Sequence, residues 1–228
     1  NYACLRNSVL LIGDVNTHAD RSIPGNSITS NSDFDRTGEV SLANNIPNFK
    51  DWTRVVGGFE AGQTIRYLDG RGDSQVTSNT TTIKNTGLSD LDDRSIGSSG
   101  KSSYYMAGMA YWAHTHDIRG RDWTETAKRR PGMRVTTYVV DVNENSANND
   151  ATARRRTHFF LAAKYGGFND VTGTGNPYES SNDARNWEKE TDPGEAKTYF
   201  LVSDADKFLR SLDDICFAAA KASNTISS

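Results

Sequence analysis

The sequence holds two cysteines, Cys4 and Cys216, three methionines and five prolines among 228 residues. The cysteines lie near opposite ends, a spacing that fits no zinc or redox motif. Either both are buried thiols, or they form one disulfide joining the chain's ends in an oxidising compartment. No apolar run approaches the roughly 20 residues a membrane helix needs, and no signal-peptide pattern opens the chain. There is no G-x-S-x-G, no P-loop and no G-x-G-x-x-G following a strand. The formal net charge is only −3, so no global field favours nucleic acid or an anionic membrane. Arg129-Arg130 and Arg154-Arg155-Arg156 have no interleaved aromatics for base stacking and read as solvated helix faces. Neither a nucleic-acid partner nor a membrane span is expected.

A hydrophobic fraction of 35% and a mean hydropathy of −0.68 point to a modest core with long solvated loops. The length suits one large or two small domains, and residues 1–228 read as a single domain or a fragment of one. Because the chain opens on Asn1 rather than Met, it reads as a processed product or a piece of something longer.

The apolar signal is concentrated in a few segments. Val9–Ile12, closed by Gly13-Asp14, reads as a buried parallel strand ending at an acid. Phe49–Glu60 predicts a short helix, with Phe49, Trp52, Val55, Val56 and Phe59 on one face and Gly57-Gly58 tending to end it early. Ser102–Asp117 predicts a helix apolar almost all round, which needs cover on more than one side. Met133–Val142 reads as a second core strand. Asp150–Tyr165 predicts a helix capped by Asp150 and stopped by Gly166-Gly167. Thr198–Val202 reads as a third strand, and Ser203–Ala222 as a final helix with a core stripe of Phe208, Leu209, Leu212, Ile215, Cys216 and Ala219. Polar insertions separate these segments, over about 15–100 and 168–196. Right-handed crossovers then set three parallel strands side by side under helices. A sheet that narrow leaves an open edge, so part of the domain is expected from elsewhere.

Local patterns with chemistry are sparse. Asp14 ends the first strand, and Asp141 and Asn143 end the second, on the rim where open parallel sheets bind ligands. A hard cation, calcium or magnesium, is the fitting cofactor there. Asp33, Asp35, Thr37 and Glu39, with Gly38 between them, match the start of a calcium loop, although its twelfth position is Asn44 rather than Glu. Arg71-Gly72-Asp73 splays a cation and a carboxylate on a glycine-permitted turn, a shape suited to a receptor. Of the four histidines, His114 and His116 are two apart on a helix and cannot chelate one ion together. His158 reads as structural. No catalytic residues are expected.

Two resemblances follow. Leu10–Asp20 resembles the fourth-strand region of a von Willebrand factor A domain. Tyr104–Arg119, Pro131–Asn143, Phe160–Phe168 and Tyr199–Leu212, in that order, resemble the N-terminal region of the PilY1 family of type IV pilus tip-associated adhesins. The resemblance implies an α/β three-layer fold with a mostly parallel sheet, von Willebrand factor A-like and incomplete, interrupted by long irregular insertions. It implies a non-enzymatic role in pilus assembly and in attachment to host or abiotic surfaces. The implied partners are pilus subunits (minor pilins) and an absent N-terminal half of the same domain. The implied place is the cell surface, which favours the Cys4–Cys216 disulfide. That domain type also binds its ion through D-x-S-x-S, which this chain lacks, so only Asp14 matches its ligand set. An α/β hydrolase with its site on the strand rim, and a self-assembling structural module, are the alternatives.

Overall fold

The computed structural model describes residues 7–14, 23, 47–68, 74–78, 85–96, 102–119, 133–143, 148–178, 186–203 and 205–224. The elements are β1 (Asn7–Gly13), α1 (Phe49–Ala61), β2 (Thr64–Leu68), β3 (Ser74–Ser78), β4 (Ser95–Ile96), β5 (Ser102–Ser103), α2 (Tyr105–Thr115), β6 (Val135–Val142), α3 (Ala151–Arg155), α4 (His158–Gly166), β7 (Tyr199–Val202) and α5 (Ala205–Asn224). β1, β6 and β7 form one sheet in that order, parallel throughout. β2–β3 and β4–β5 are small antiparallel pairs. The expected three-strand parallel α/β unit is therefore present.

The two sheet faces are covered unequally. On the first, Leu11, Val139, Tyr199 and Leu201 meet the main core, where α2 and α4 pack against each other and against β6. On the second, Tyr138, Val140 and Val202 meet Ile215 and Phe208 of α5. Here the expectation of a buried first strand is corrected. β1 pairs only with β6 among the described strands, and Leu10 and Ile12 are 37% and 51% exposed. They register with Tyr138 and Val140, on the face where α5 reaches β6 and β7.

The helix apolar all round, α2, finds its cover inside the first insertion. Its main neighbours are α4, α1 and β6. Gly108 sets how closely α1 approaches. A Cβ there would lie 2.3 Å from Thr53 Oγ1 and 2.6 Å from the Thr53 backbone nitrogen. The α1 helix starts at Asn48, whose side chain accepts from the Lys50 and Asp51 amides. It runs through Gly57-Gly58 and ends at Gly62, which is left-handed at φ 71°. It does not end early because both glycines sit under neighbours: a Cβ on Gly58 would lie 2.2 Å from Ile65.

Three further expectations are corrected. The helix expected over Asp150–Tyr165 is two helices. Thr157 caps the second by accepting from the Phe160 amide at 3.1 Å while donating to Arg154 O at 2.8 Å. Asp150 does cap the first, accepting from the Ala153 amide. The insertion after Phe168 is not a purely solvated excursion, because Phe168, Tyr178, Trp187 and Ala196 belong to the main core. On α5, Leu209 is 59% exposed and Cys216 is exposed. The helix crosses a narrow sheet, so only a thin stripe around Ser211 and Ile215 is covered.

Candidate functional site

The carboxyl ends of β1 and β6 bring the rim residues together. Gly13 registers with Asp141, so Asp14 stands one residue beyond, partly buried. Asp141 is fully buried. Its Oδ2 accepts from Tyr199 Oη at 2.5 Å and from Asn148 Nδ2 at 2.8 Å. Its Oδ1 is buried with no hydrogen-bond partner among the described residues. Burial pushes the Asp141 carboxyl above its ordinary range, the Tyr199 and Asn148 hydrogen bonds oppose this, and the Asp14 charge adds to it. Tyr199, buried and facing Asp141, is pushed up in turn.

The loop beyond β6 is fixed by its own amides. Asn143 Oδ1 accepts from the Asn148 amide at 2.9 Å, and Asn143 Nδ2 donates to Asn149 Oδ1 at 2.7 Å. Arg154 donates to Asn148 O at 2.7 Å and makes a two-pronged pair with Glu195 at 2.6 and 3.0 Å. Arg155 Nε donates to Gly194 O. The basic run expected to be a solvated face instead clamps the second insertion onto α3. Sequence gave no sign of this, because the acceptors lie some 40 residues away.

A second polar cluster lies inside the core. Glu60 of α1 and Lys164 of α4 pair at 2.5 Å with side chains 0% and 1% exposed. Tyr165 Oη donates to Glu60 Oε1 at 2.6 Å and the Thr86 amide to Oε2 at 2.7 Å. Lys164 Nζ sits 4.3 Å from the Trp187 ring centre. Tyr178 Oη donates to Asn85 Oδ1 at 2.7 Å. The cluster ties both insertions to the sheet-covering helices.

The three described histidines, His114, His116 and His158, make structural contacts. His114 bridges Val135 O and Phe168 O, at 3.2 and 2.7 Å. Thr115 Oγ1 lies 2.8 Å from His116 Nδ1. This hydroxyl–imidazole contact is buried, and the Ile118–Met133 hydrogen bond puts it near the amino end of β6, opposite the rim. His158 is buried with Nε2 unpartnered among the described residues, and burial lowers it to about 4. A histidine lowered on folding contributes stability that is present above its unfolded value near 6.5 and lost as pH falls toward 4. Stability of the chain is therefore expected to fall by roughly 3 kcal/mol across that window from this group. Replacing His158 with phenylalanine is expected to flatten that part of a pH series of denaturation midpoints; an unchanged slope would count against it.

The other expected site residues divide plainly. Asp33, Asp35, Thr37, Glu39, Arg71, Gly72, Asp73 and Cys4 lie outside the described residues. Residues 71–73 fall in the connection between β2 and β3. Cys216 is a free thiol on α5, exposed rather than a buried one. Among the described residues, no three acidic, histidine or cysteine side chains converge as a metal cluster, and no helix is long and apolar enough to cross a membrane.

Compared with known proteins, the chain is 29% identical over 220 residues to a type IV pilus biogenesis factor PilY1 homolog of Xylella fastidiosa (strain Temecula1). The match takes in 92% of this chain, the insertions included. The similarity to this PilY1 homolog runs along nearly the whole chain. The chain spans 16% of that PilY1 homolog's length. No family profile matches the chain, and no solved structure does. Among the described residues the rim carries carboxylates, amides and a tyrosine, and the described hydroxyl–imidazole pair lies at the other end of the sheet.

Proposed function

We propose that this chain is a non-enzymatic part of a pilus-associated surface protein that supports type IV pilus assembly and attachment to host or abiotic surfaces. What carries the reading is the similarity to a pilus biogenesis factor along nearly the whole chain, insertions and core together. The fold fits the role physically. A rigid parallel sheet with helices on both faces carries loops on which contact residues can be presented. Arg71-Gly72-Asp73, in the β2–β3 connection, is the receptor-facing element in this reading, and minor pilins are the assembly partners. Among the described strands β1 pairs with β6 alone, which suits pairing of its other edge with a further strand of the full-length polypeptide.

The test is an in-frame excision of this segment from the full-length protein in the producing cell. Surface pili are counted by electron microscopy and adherent cells by a washed-surface assay. Loss of pili, or normal pili with lost attachment, supports the proposal. Wild-type pili together with wild-type attachment would overturn it.

A further inference from the structure

We propose that His158 is an acid-released latch at the joint between α3 and α4, whose protonation opens that joint and frees the second insertion from Arg154 and Arg155 before the core unfolds. His158 is the first residue of α4 and is 2% exposed. Its Nε2 is buried with no hydrogen-bond partner among the described residues. A protonated imidazole carries a charge and two N–H donors, and here one of them would meet no acceptor. The amino end of a helix also disfavours a cation. The ring is walled by Tyr104 and Phe159, both edge-on, at centroid distances of 6.5 and 4.9 Å.

The joint is the part that can yield. No residue of α3 is buried, whereas every residue of α4 is. Point contacts hold α3 in place: Arg154 to Glu195 and Asn148 O, Arg155 to Gly194 O, and Tyr104 Oη, which donates to Arg156 O at 2.8 Å. A segment with so little apolar burial opens at lower cost than a core helix. Opening it brings His158, next along the chain, to water, and takes Arg154 and Arg155 off the second insertion.

The charges around the joint do not supply the effect. Arg94, Arg156 and Asp90 act on the Tyr104 hydroxyl, Glu60 and Lys164 pair with each other, and Asp14 acts on Asp141 at the rim. Burial alone lowers His158, from an ordinary value of 6.5 to about 4. The open joint therefore takes up the proton first. Opening grows as pH falls through 6.5 and levels off below 4. Between pH 7.5 and 4.5 the open fraction is expected to rise roughly 70-fold.

Amide hydrogen exchange of the chain is followed between pH 7.5 and 4.5, each rate being divided by that of the free peptide at the same pH. The reporters are the amides of Arg156, Thr157, Phe160 and Leu161, which donate to Ala153 O, Arg154 O, Thr157 Oγ1 and Thr157 O. The Val139 amide, bonded to Thr198 O, reports the core. Reporter protection is expected to fall by about the factor above and to stay below that of Val139 throughout. The fall is expected to vanish in His158→Phe, and in His158→Gln should phenylalanine disturb the fold. Glu195, the other acid-sensitive partner at the joint, is tested by Glu195→Gln, which is expected to lower protection at every pH and keep the dependence. Reporter protection flat with pH, or equal to that of Val139 at every pH, would overturn the proposal. So would a dependence kept in a folded His158 variant or lost in Glu195→Gln, either of which assigns it to Glu195.

Discussion

Replacing Lys164 with methionine is expected to destabilise the chain by about 3–5 kcal/mol, the usual consequence of leaving a buried charge without its partner. Glu60 is fully enclosed, and its side chain meets Lys164, Tyr165 and the Thr86 amide. Methionine fills most of the lysine volume, so the loss reports on charge rather than on a cavity. Burial alone would raise the Glu60 carboxyl, but the Lys164 charge and the hydrogen bonds from Lys164, Tyr165 and Thr86 hold it below its ordinary range. A carboxylate lowered on folding contributes stability that is present above its unfolded value and lost as pH falls through its folded one. The pair should therefore weaken on the acid side of the carboxylate range, and not near neutrality. The double variant Glu60→Gln, Lys164→Met removes both charges and is expected to regain the larger part of the loss. Denaturant unfolding at pH 7 gives the comparison. A single variant within about 1 kcal/mol of the parent would mean that water reaches the pair.

Trp187→Ala is expected to cost a further large amount, about 3–5 kcal/mol. Trp187 is 0% exposed and stands among the largest buried side chains, with Lys164 Nζ over its ring. The same substitution on a solvated loop would change stability by no more than about 0.5 kcal/mol. The denaturation midpoint thus separates an insertion built into the core from one that hangs off it. Trp187→Phe keeps an aromatic face under Lys164 and is expected to lose less. Equal and small losses for both variants would count against the packing.

The sheet and its helices were legible because their apolar periods are strong. Val135–Val142 alternates little and is buried through Asp141; the stripe Phe49, Trp52, Val56 and Phe59 closes on α2 as its spacing demands. Burial of β1 was misread for a physical reason. A continuous apolar run reports the chemistry of a strand but not whether a neighbour lies on each side. The break at Arg156-Thr157 was hidden by apolar residues on both sides of it, and the signal was Thr157, a cap residue inside a helical pattern. The Glu60–Lys164 pair had a signal too. A lone acid sat on the buried stripe of one helix, and a lone lysine sat inside the apolar run Phe159–Tyr165. Residues so placed are rarely buried unless paired. The second insertion gave least warning, because Trp187 and Tyr178 are isolated aromatics in polar sequence, and only long-range contacts bury them. At the rim, the ends of both strands were readable at Asp14 and Asp141. The Tyr199 and Asn148 hydrogen bonds to Asp141 Oδ2 were not, since they depend on register and on a loop.

The most direct measurement is of where the segment resides. Pili are sheared from cells producing the full-length protein, sedimented, and probed with an antibody raised against residues 1–228, alongside the major pilin. Co-sedimentation with the filaments, and gold label on filaments or at the cell surface, is expected. Label confined to the cell interior, with none in the sheared fraction, would contradict a pilus-associated role for this chain.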